Sequence, residues 1–447
     1  MEITIRMDVA RKQHEIYILE FLQNKNMLMR PGLPLALILF SAPLFAASSD
    51  QLNYSVGLSY ENTDNITLSP TNKISESIIH TLFTVDYKRE SAVLNAHLTL
   101  SGDYADYQKN VYPDQATVSS LFGLTATLVK NRFYWIVENK LDRVQTRYNA
   151  ANIPTNQENT NLFSTGPRIT FVQNERNSLS AKIQYVSFYA EKTPSDYTGY
   201  VLNAIYARNV SRTFSIGLNV NYDDRSFDNT ILNTNYSRTD STVNFKKRLK
   251  LSEMEMDVGR TWVNNDIGSA IEQSIFRARY KYQLGEKTNF NFGYTRELGD
   301  FAGVFSGGNA IGSNLPIVGS ALFILEQGQM TINKRFSSSS VTYGISYFSN
   351  DYEDNTLDLN TTSSELTLST NLSTNVSLNL SSRYANTRFP GIDRRDIERL
   401  YSLGLSRQFL DRYDVRLNYQ YTNRGSSDSN FAYDERRISL GGHYYFR

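Results

Sequence analysis

The stretch Phe214-Ser-Ile-Gly-Leu-Asn-Val-Asn-Tyr222 places a large apolar residue at every second position, with small or polar residues between them. Successive side chains of a β-strand point to opposite faces, so this stretch predicts a strand with one apolar face and one polar face. The same alternation runs from Tyr54 to Tyr60 and from Tyr413 to Tyr421. No helical pattern interrupts it beyond residue 51, which indicates an all-β chain.

Composition excludes several classes of protein. The 447 residues include 30 Tyr and no Cys, and the formal net charge is +1. Without Cys the chain cannot build a zinc ribbon, a thiol enzyme or a disulfide scaffold, and its balanced charge argues against a nucleic-acid partner. The mean hydropathy of -0.43 excludes a helical membrane protein, whose repeated spans of ~20 apolar residues would raise that value. A membrane β-barrel remains compatible, because its strands are apolar on one face only.

One apolar run, Leu33–Ala47, follows Arg30 and ends in small residues. It is too short for a transmembrane helix and is typical of a secretory signal peptide, for which we expect cleavage after Ala46. We therefore divide the chain into a signal-peptide region, 1–46, and a barrel, 47–447. We interpret residues 1–26 as an extension that results from a misplaced start codon. The alternative is an uncleaved anchor with a cytoplasmic extension.

The segments between predicted strands alternate in length. Short turns are expected at nine places: 88–91, 129–132, 173–177, 208–212, 248–251, 285–287, 336–340, 372–375 and 409–412. Longer polar segments separate them, including 143–159, 224–235, 299–319 and 349–362. Short turns at one end and long loops at the other are typical of outer-membrane barrels of Gram-negative bacteria. We predict an antiparallel up-and-down transmembrane β-barrel of 18–20 strands, with both termini at the periplasmic rim. Segment 299–319 is compatible with a constriction inside the lumen or with an outer lid.

Charged residues at alternate strand positions are expected to face the lumen, since charge facing lipid at mid-bilayer costs ~2–4 kcal/mol. An acidic row and a basic row fall on neighbouring strands, and we expect them to face each other: Glu253, Glu255 and Asp257 against Arg277, Arg279 and Lys281. A second mixed strip is expected near the C-terminus, with Arg412, Arg416 and Arg437. These rows favour either a polar conduit for a hydrated, anionic substrate or charges that only neutralise each other within the wall.

Two histidines are the main candidates for chemistry. We expect His80 opposite Thr99, which would make His80 and His97 diagonal lumen neighbours able to bind a metal or to activate Ser101. No third ligand or orienting acid accompanies them in the sequence, and a polar lumen accounts for both residues. We therefore assign no catalytic residue, no metal ligand and no cofactor, and expect no enzymatic activity.

The last residues carry a more specific pattern, Ser439-x-Gly441-x-x-Tyr444-x-Phe446. It resembles the C-terminal assembly signal of bacterial outer-membrane barrels, although Arg447 follows the aromatic residue that usually ends such chains. The resemblance implies recognition by the barrel assembly machinery, and an exposed terminal strand can dock there by strand addition.

The segment from Tyr54 to Leu68, YSVGLSYENTDNITL, resembles the opening of outer-membrane barrels associated with exosortase/PEP-CTERM systems and exopolysaccharide loci. In these proteins a first strand leads into a Thr-Asp-Asn turn, here Thr63-Asp64-Asn65. The resemblance implies a non-enzymatic barrel that serves biosynthesis, export or surface retention of an exopolysaccharide. Its partners would be outer-membrane lipid, exopolysaccharide and export components. A general or solute-specific porin is the alternative, and an outer-membrane hydrolase is a minor one.

Overall fold

A computed structural model describes residues 50–266, 270–306, 320–352 and 355–446. The predicted signal-peptide region and its expected cleavage site lie outside the described residues. Twenty antiparallel strands form one sheet, which closes into a barrel because β1 pairs with β20 as well as with β2. The strands are β1 Asp50–Thr63, β2 Glu76–Glu90, β3 Leu94–Tyr107, β4 Gln115–Val129, β5 Phe133–Gln145, β6 Gln157–Gln173, β7 Asn177–Ala190, β8 Tyr197–Asn209, β9 Phe214–Phe227, β10 Tyr236–Arg248, β11 Ser252–Asn265, β12 Ile271–Gln283, β13 Thr288–Gly299, β14 Phe323–Arg335, β15 Ser339–Tyr352, β16 Leu359–Ser373, β17 Val376–Phe389, β18 Arg394–Phe409, β19 Tyr413–Ser426 and β20 Tyr433–Phe446.

The connections confirm the predicted alternation. Nine turns of two to four residues join the strands at one end of the barrel, which we call the turn end. Each falls at one of the nine predicted positions, within a few residues. The connections at the opposite, loop end have between four and 23 residues, and the longest contains a short helix, α1 (Phe301–Ser306). Among the residues that the structure describes, short 3-10 segments also lie in four other loops: Pro154–Asn156, Asn355–Leu357, Pro390–Ile392 and Ser429–Phe431.

The outer face of the barrel is apolar and open to its surroundings. On β1 the outward side chains of Tyr54, Val56, Leu58 and Tyr60 are 42–61% exposed. On β19 aromatic rings lie at both ends of the outward row and aliphatic side chains between them: Tyr413, Val415, Leu417, Tyr419 and Tyr421. An apolar band bounded by aromatic side chains is the exterior of a transmembrane barrel. The helices within the described residues are all too short or too polar to cross a membrane.

The barrel closes at a seam with partners at both ends. At the loop end Thr63 donates a hydrogen bond from Oγ1 to Glu435 (2.7 Å), and the buried Asn65 donates to the carbonyl of Asp434 (2.9 Å). At the turn end the rings of Tyr54 and Phe446 stack with centroids 4.6 Å apart. The Thr63-Asp64-Asn65 turn therefore helps to fasten the first strand to the last.

Candidate functional site: the lumen and its constriction

Helix α1 lies inside the loop end of the lumen. Phe301, Ala302 and Phe305 are buried, and both rings of α1 pack edge-on against the inward-facing Phe188 at 5.9 and 6.4 Å. The surrounding apolar cluster includes inward-facing side chains from many strands, among them Tyr197, Phe227, Tyr236, Val263, Phe323, Phe348 and Phe389. Burial of so many aromatic side chains is strongly favourable. The described start of the longest loop is thus an inward constriction.

Asp300 fixes the start of α1 to the barrel wall. One carboxylate oxygen, Oδ1, accepts a hydrogen bond from the backbone N–H of Gly303 (2.8 Å), as a helix-capping aspartate does. The same oxygen lies 2.6 Å from Nη1 of Arg225 on β9, and Oδ2 lies 3.7 Å from Nη1 of Arg238 on β10. Arg225 is itself held by Asp223 and lies over the rings of Tyr197 and Tyr236. We call the contact between Asp300 and these two arginines the latch.

The latch is buried and charged. Arg225 is 8% exposed and Asp300 is 4% exposed. Burial alone would raise the pKa of the Asp300 carboxyl group, but the two guanidinium groups and the Gly303 N–H hold that pKa below its ordinary value. The carboxylate is therefore charged at neutral pH, and the ion pairs compensate for its removal from water.

Both described ends of the long loop are tied down. Near the end of α1, the carbonyl of Phe305 accepts a hydrogen bond from Lys140 of β5 (2.5 Å). The ammonium group of Lys140 also lies 4.4 Å from the centre of the Phe305 ring. At the other end, the backbone N–H of Ser320 donates to Asn233 (3.0 Å), and the Ser320 hydroxyl accepts from the N–H of Thr234 (2.9 Å). The two ends of the loop therefore contact β5 and the connection between β9 and β10.

A second segment crosses the loop end of the barrel. The 146–156 connection joins β5 to β6, yet Tyr148 donates a hydrogen bond to the carbonyl of Thr356 (3.3 Å) and packs near Phe389 of β17. Arg394 of β18 donates to the carbonyl of Asn149 (2.6 Å). Strands β5 and β17 lie on opposite sides of a twenty-stranded barrel. Helix α1 and this bridging loop together narrow the loop end of the lumen.

The acidic and basic rows lie on adjacent strands, with their side chains facing the lumen. The register of β11 and β12 places Glu253 opposite Lys281, Glu255 opposite Arg279, and Asp257 opposite Arg277. Distances of 3.8 Å join Arg277 to Asp257 and Arg279 to Glu255. These charged pairs form what we call the charged seam, and it extends to a third and a fourth strand. Lys246 of β10 pairs with Glu253 (2.8 Å), and Arg277 also binds Glu297 of β13 (Nε to Oε2, 2.8 Å). Arg279 keeps 67% of its side chain exposed to the lumen.

The second charged strip differs from the expectation at one position. Arg412 lies in the turn between β18 and β19, where its N–H bonds the carbonyl of Phe409, so it is not a wall residue. Counting it in phase with the strand was wrong, because alternation begins only at Tyr413. Arg416 does face the lumen and pairs with Asp414 (2.5 Å), which also accepts from Tyr445 (2.8 Å). Arg437 likewise faces the lumen, between Glu61 (3.4 Å) and Glu435 (2.9 Å).

The expected pairing of His80 with His97 is wrong. His80 lies opposite Ala105 rather than Thr99, and His97 lies opposite Lys88, so eight residues of β3 separate the two histidines. The turn between β2 and β3 is centred later in the sequence than the pattern indicated, which shifts the register. His80 instead bonds the carboxylate of Asp103 (3.0 Å), and the ring of His97 lies against the backbone of Gly123. The geometry gives the two imidazole groups no shared ligand.

The C-terminal motif divides between the two faces of β20. Ser439 and Gly441 face the lumen, whereas Tyr444 and Phe446 face outward and pack edge-on at 4.6 Å. Tyr444 also lies 4.8 Å from Tyr413 of β19. The two terminal rings therefore belong to the aromatic row at the turn end.

Hydroxyl and amide groups line much of the remaining lumen. Paired serine hydroxyl groups lie 2.6 Å apart across neighbouring strands, as in Ser346–Ser363 and Ser381–Ser402. A cavity of ≈ 560 Å³ at the turn end is lined by groups of this kind together with one charged pair: Asn371, Asn375, Asn379, Asn418, Asp414 and Arg416. Such a wall offers many hydrogen-bonding groups to a hydrated solute.

Sequence reasoning missed the latch. Arg225 and Arg238 each share a strand face with an aspartate two residues away, which was visible in the sequence, but their partner Asp300 lies in a loop. Neither alternation nor spacing in the sequence connects a carboxylate in the loop after β13 to β9 and β10, which lie four and three strands before β13. The signal available was a capping aspartate followed by the apolar Phe301-Ala302.

Neither a protein-family model nor a curated protein matches the chain. Solved structures of similar fold include OccK2 (OpdF) of Pseudomonas aeruginosa, which is 9% identical, with 89% of this chain and 97% of that chain covered and a TM-score of 0.41. The apoprotein form of the FrpB iron transporter (F5-1 variant) from Neisseria meningitidis is 10% identical, with 88% and 81% covered and a TM-score of 0.49. The outer membrane protein OpdK of Pseudomonas aeruginosa is 12% identical, with 89% and 99% covered and a TM-score of 0.39. At these identities the likeness concerns the fold alone.

Proposed function

We propose that this chain is an outer-membrane conduit for a hydrated polar solute, with a constriction at its outer end. The observation that carries the proposal is the contrast along the lumen. Its turn end is lined by polar and charged groups, whereas its loop end is narrowed by α1 and the bridging loop. A barrel whose wall had only a structural role would need no buried ion pair to hold a loop segment inside its lumen. The N-terminal residue of protein purified from outer membranes tests the location and the cleavage after Ala46.

Of the solutes that such a lumen could carry, we propose segments of an exopolysaccharide during its export or surface retention. Sugar hydroxyl groups match the serine and asparagine groups of the wall. The likeness of residues 54–68 to exopolysaccharide-associated barrels supports the same class. The charged seam between β10 and β13 would hold the wall together and bind water along the path.

A deletion strain, with the wild-type gene restored in trans, tests this proposal. Loss of surface exopolysaccharide, or its accumulation in the periplasm, is expected if the barrel serves export or retention. Unchanged polymer together with reduced uptake of small solutes would contradict that cargo and favour a porin. In planar bilayers, a stable open conductance of the unmodified protein would likewise favour a porin over a constricted conduit.

A further inference from the structure

Strands β17, β18 and β20 carry four arginines on the outer face of the barrel at its loop end: Arg388, Arg395, Arg399 and Arg436. All four are exposed. Strand alternation sets them on the same face as the exposed outward side chains Tyr384, Tyr401 and Ile438. We call these four residues the arginine patch.

The arginine patch lies beside the aromatic side chains at the loop end of the outer face. Arg399 is directly opposite Tyr384, and Arg436 is directly opposite Tyr421. Tyr401 and Tyr421 form a stacked pair with centroids 6.4 Å apart. Aromatic side chains of this kind settle at the level of the lipid headgroups. The guanidinium groups therefore lie at, and on the loop side of, the headgroup layer.

The positive charge of the patch is poorly compensated by the protein. Arg388 and Arg395 are directly opposite each other, an arrangement of like charges that destabilises a sheet unless an anion lies between them. In the described part of the chain, none of the four arginines forms an ion pair. Two of them donate side-chain hydrogen bonds to amides, Arg395 to Asn386 (2.9 Å) and Arg399 to Asn423 (3.3 Å).

Nearby acids are engaged elsewhere or lie in turns. Asp434, the acid on the outward face of β20, pairs with Lys73 (2.7 Å). Asp64 accepts a hydrogen bond from the backbone N–H of Arg436 (2.8 Å), and Asp393 lies in the turn that precedes β18. Arg260, an outward arginine on β11, shows the contrasting arrangement, because it pairs with Glu272. The patch is thus an unmatched concentration of guanidinium groups.

We propose that the arginine patch binds the phosphate groups of a phosphorylated glycolipid in the outer leaflet. Guanidinium groups bind phosphate with two parallel hydrogen bonds, and basic clusters beside a membrane span recognise anionic headgroups. A headgroup with two phosphates would span the facing Arg388 and Arg395 and relieve their repulsion. The inference rests on the outer-membrane location proposed above, but on neither the cargo nor the conductance.

The test measures lipid binding to the purified full-length barrel in detergent, by native mass spectrometry. Bis-phosphorylated lipid A, the same lipid after dephosphorylation, and inorganic phosphate are the probes. We expect the wild type to bind the bis-phosphorylated lipid at least tenfold more tightly than the dephosphorylated one. The triple variant R388Q/R395Q/R399Q should lose that preference, and inorganic phosphate should not displace the lipid at equal concentration.

The matched control is R260Q, which removes an outward arginine that already has a partner and should bind lipid like the wild type. Heat-modifiable mobility in gels establishes that each variant is folded. If the triple variant does not fold, R388K/R395K/R399K keeps the charge without the paired hydrogen bonds and should weaken binding severalfold. Equal affinity of a folded variant and the wild type, or displacement by equimolar inorganic phosphate, would overturn the proposal. Failure of the transport proposal leaves this readout unaffected.

Discussion

The buried carboxylate of Asp300 joins the constriction to the wall, so its charge should control whether α1 stays in the lumen. In D300N the capping hydrogen bond is retained, but the ion pairs with Arg225 and Arg238 are lost. Arg225 keeps Asp223 as a partner, so we expect a cost of about 2 kcal/mol, at the scale of a hydrogen bond to a charged group. That cost raises the open population roughly 30-fold. The chain has no Cys, so a single introduced thiol, A302C, reports opening through its rate of labelling by a maleimide.

The control for this experiment is E365Q in the same A302C background, since Glu365 is a lumen carboxylate on β16, away from the latch. Its labelling rate should equal that of A302C alone. An unchanged rate in D300N would show that apolar packing, rather than the ion pair, holds α1 in place.

The same carboxylate gives the constriction a defined dependence on pH. The pKa of Asp300 is lower in the folded protein than its ordinary value of about 3.8, so the latch contributes fully above pH ~4. That contribution is lost as the pH falls through the lower, folded pKa. Conductance in planar bilayers should therefore stay constant from pH 7 to about 4 and rise below it. D300N should conduct more than the wild type at neutral pH, and its conductance should show a smaller acid-dependent rise. Parallel curves for the two proteins would assign the acid response to other carboxylates.

Two strands, β11 and β12, carry the charges that most directly meet a solute. Arg279 and Lys281 are exposed to the lumen, whereas Arg277 is held between two carboxylates. In R279E/K281E the seam would become acidic, and the local potential would favour cations. We expect the reversal potential across a salt gradient, measured in variants that also lack the constricting helix Phe301–Ser306, to move towards the cation value. R260E, on the outer face of β11, is the matched control and should leave the reversal potential unchanged. If both variants shift it equally, the lumen seam does not set the selectivity.

Variants of the terminal strand β20 can separate an effect on barrel stability from an effect on assembly into the outer membrane. F446A and Y54A both remove the stacked pair, and F446A also removes the ring contact with Tyr444, so a purely structural role predicts only a moderately larger loss of barrel stability for F446A. If Phe446 also belongs to an assembly signal, F446A should lower the amount of protein in outer membranes several-fold more than Y54A. Quantitative immunoblots of membrane fractions, with heat-modifiable mobility as the folding readout, measure both effects. Equal amounts of the two variants would argue against the signal.

Strand positions were predictable because alternation is a local property, and it persists from Tyr54 to Phe446. It located every short turn and the facing of Glu255 and Arg279. Alternation failed for Arg412 because it does not show where the turn ends and the strand begins. It failed for His80 because the pairing of β2 with β3 depends on where their turn is centred. Contacts between loops and distant strands, such as that of Asp300 with Arg225, arise from closure of the barrel. No pattern along the chain encodes them.

On the scale of the whole molecule, the backbone hydrogen bonds that form the barrel wall do not involve the constricting helix. The strand register closes the barrel through β1 and β20 without any backbone contribution from α1. A deletion of Phe301–Ser306 should therefore leave a folded, heat-modifiable barrel, while the aromatic side chains around the helix lose their partner. Conductance in planar bilayers should rise, but only in part, because Tyr148 and Arg394 still hold the bridging loop across the opening.

The double change, deletion of Phe301–Ser306 together with Y148S, should open the lumen further than either change alone. Tyr148 contributes both a ring contact with Phe389 and a hydrogen bond across the barrel, so its replacement weakens the bridge without altering a strand and leaves the contact of Arg394 in place. Y148F, which keeps the ring and loses the hydrogen bond, is the graded control and should have a smaller effect. If the deletion abolishes folding, α1 is part of the wall after all. If the double change conducts no better than the wild type, the narrow point lies elsewhere in the lumen.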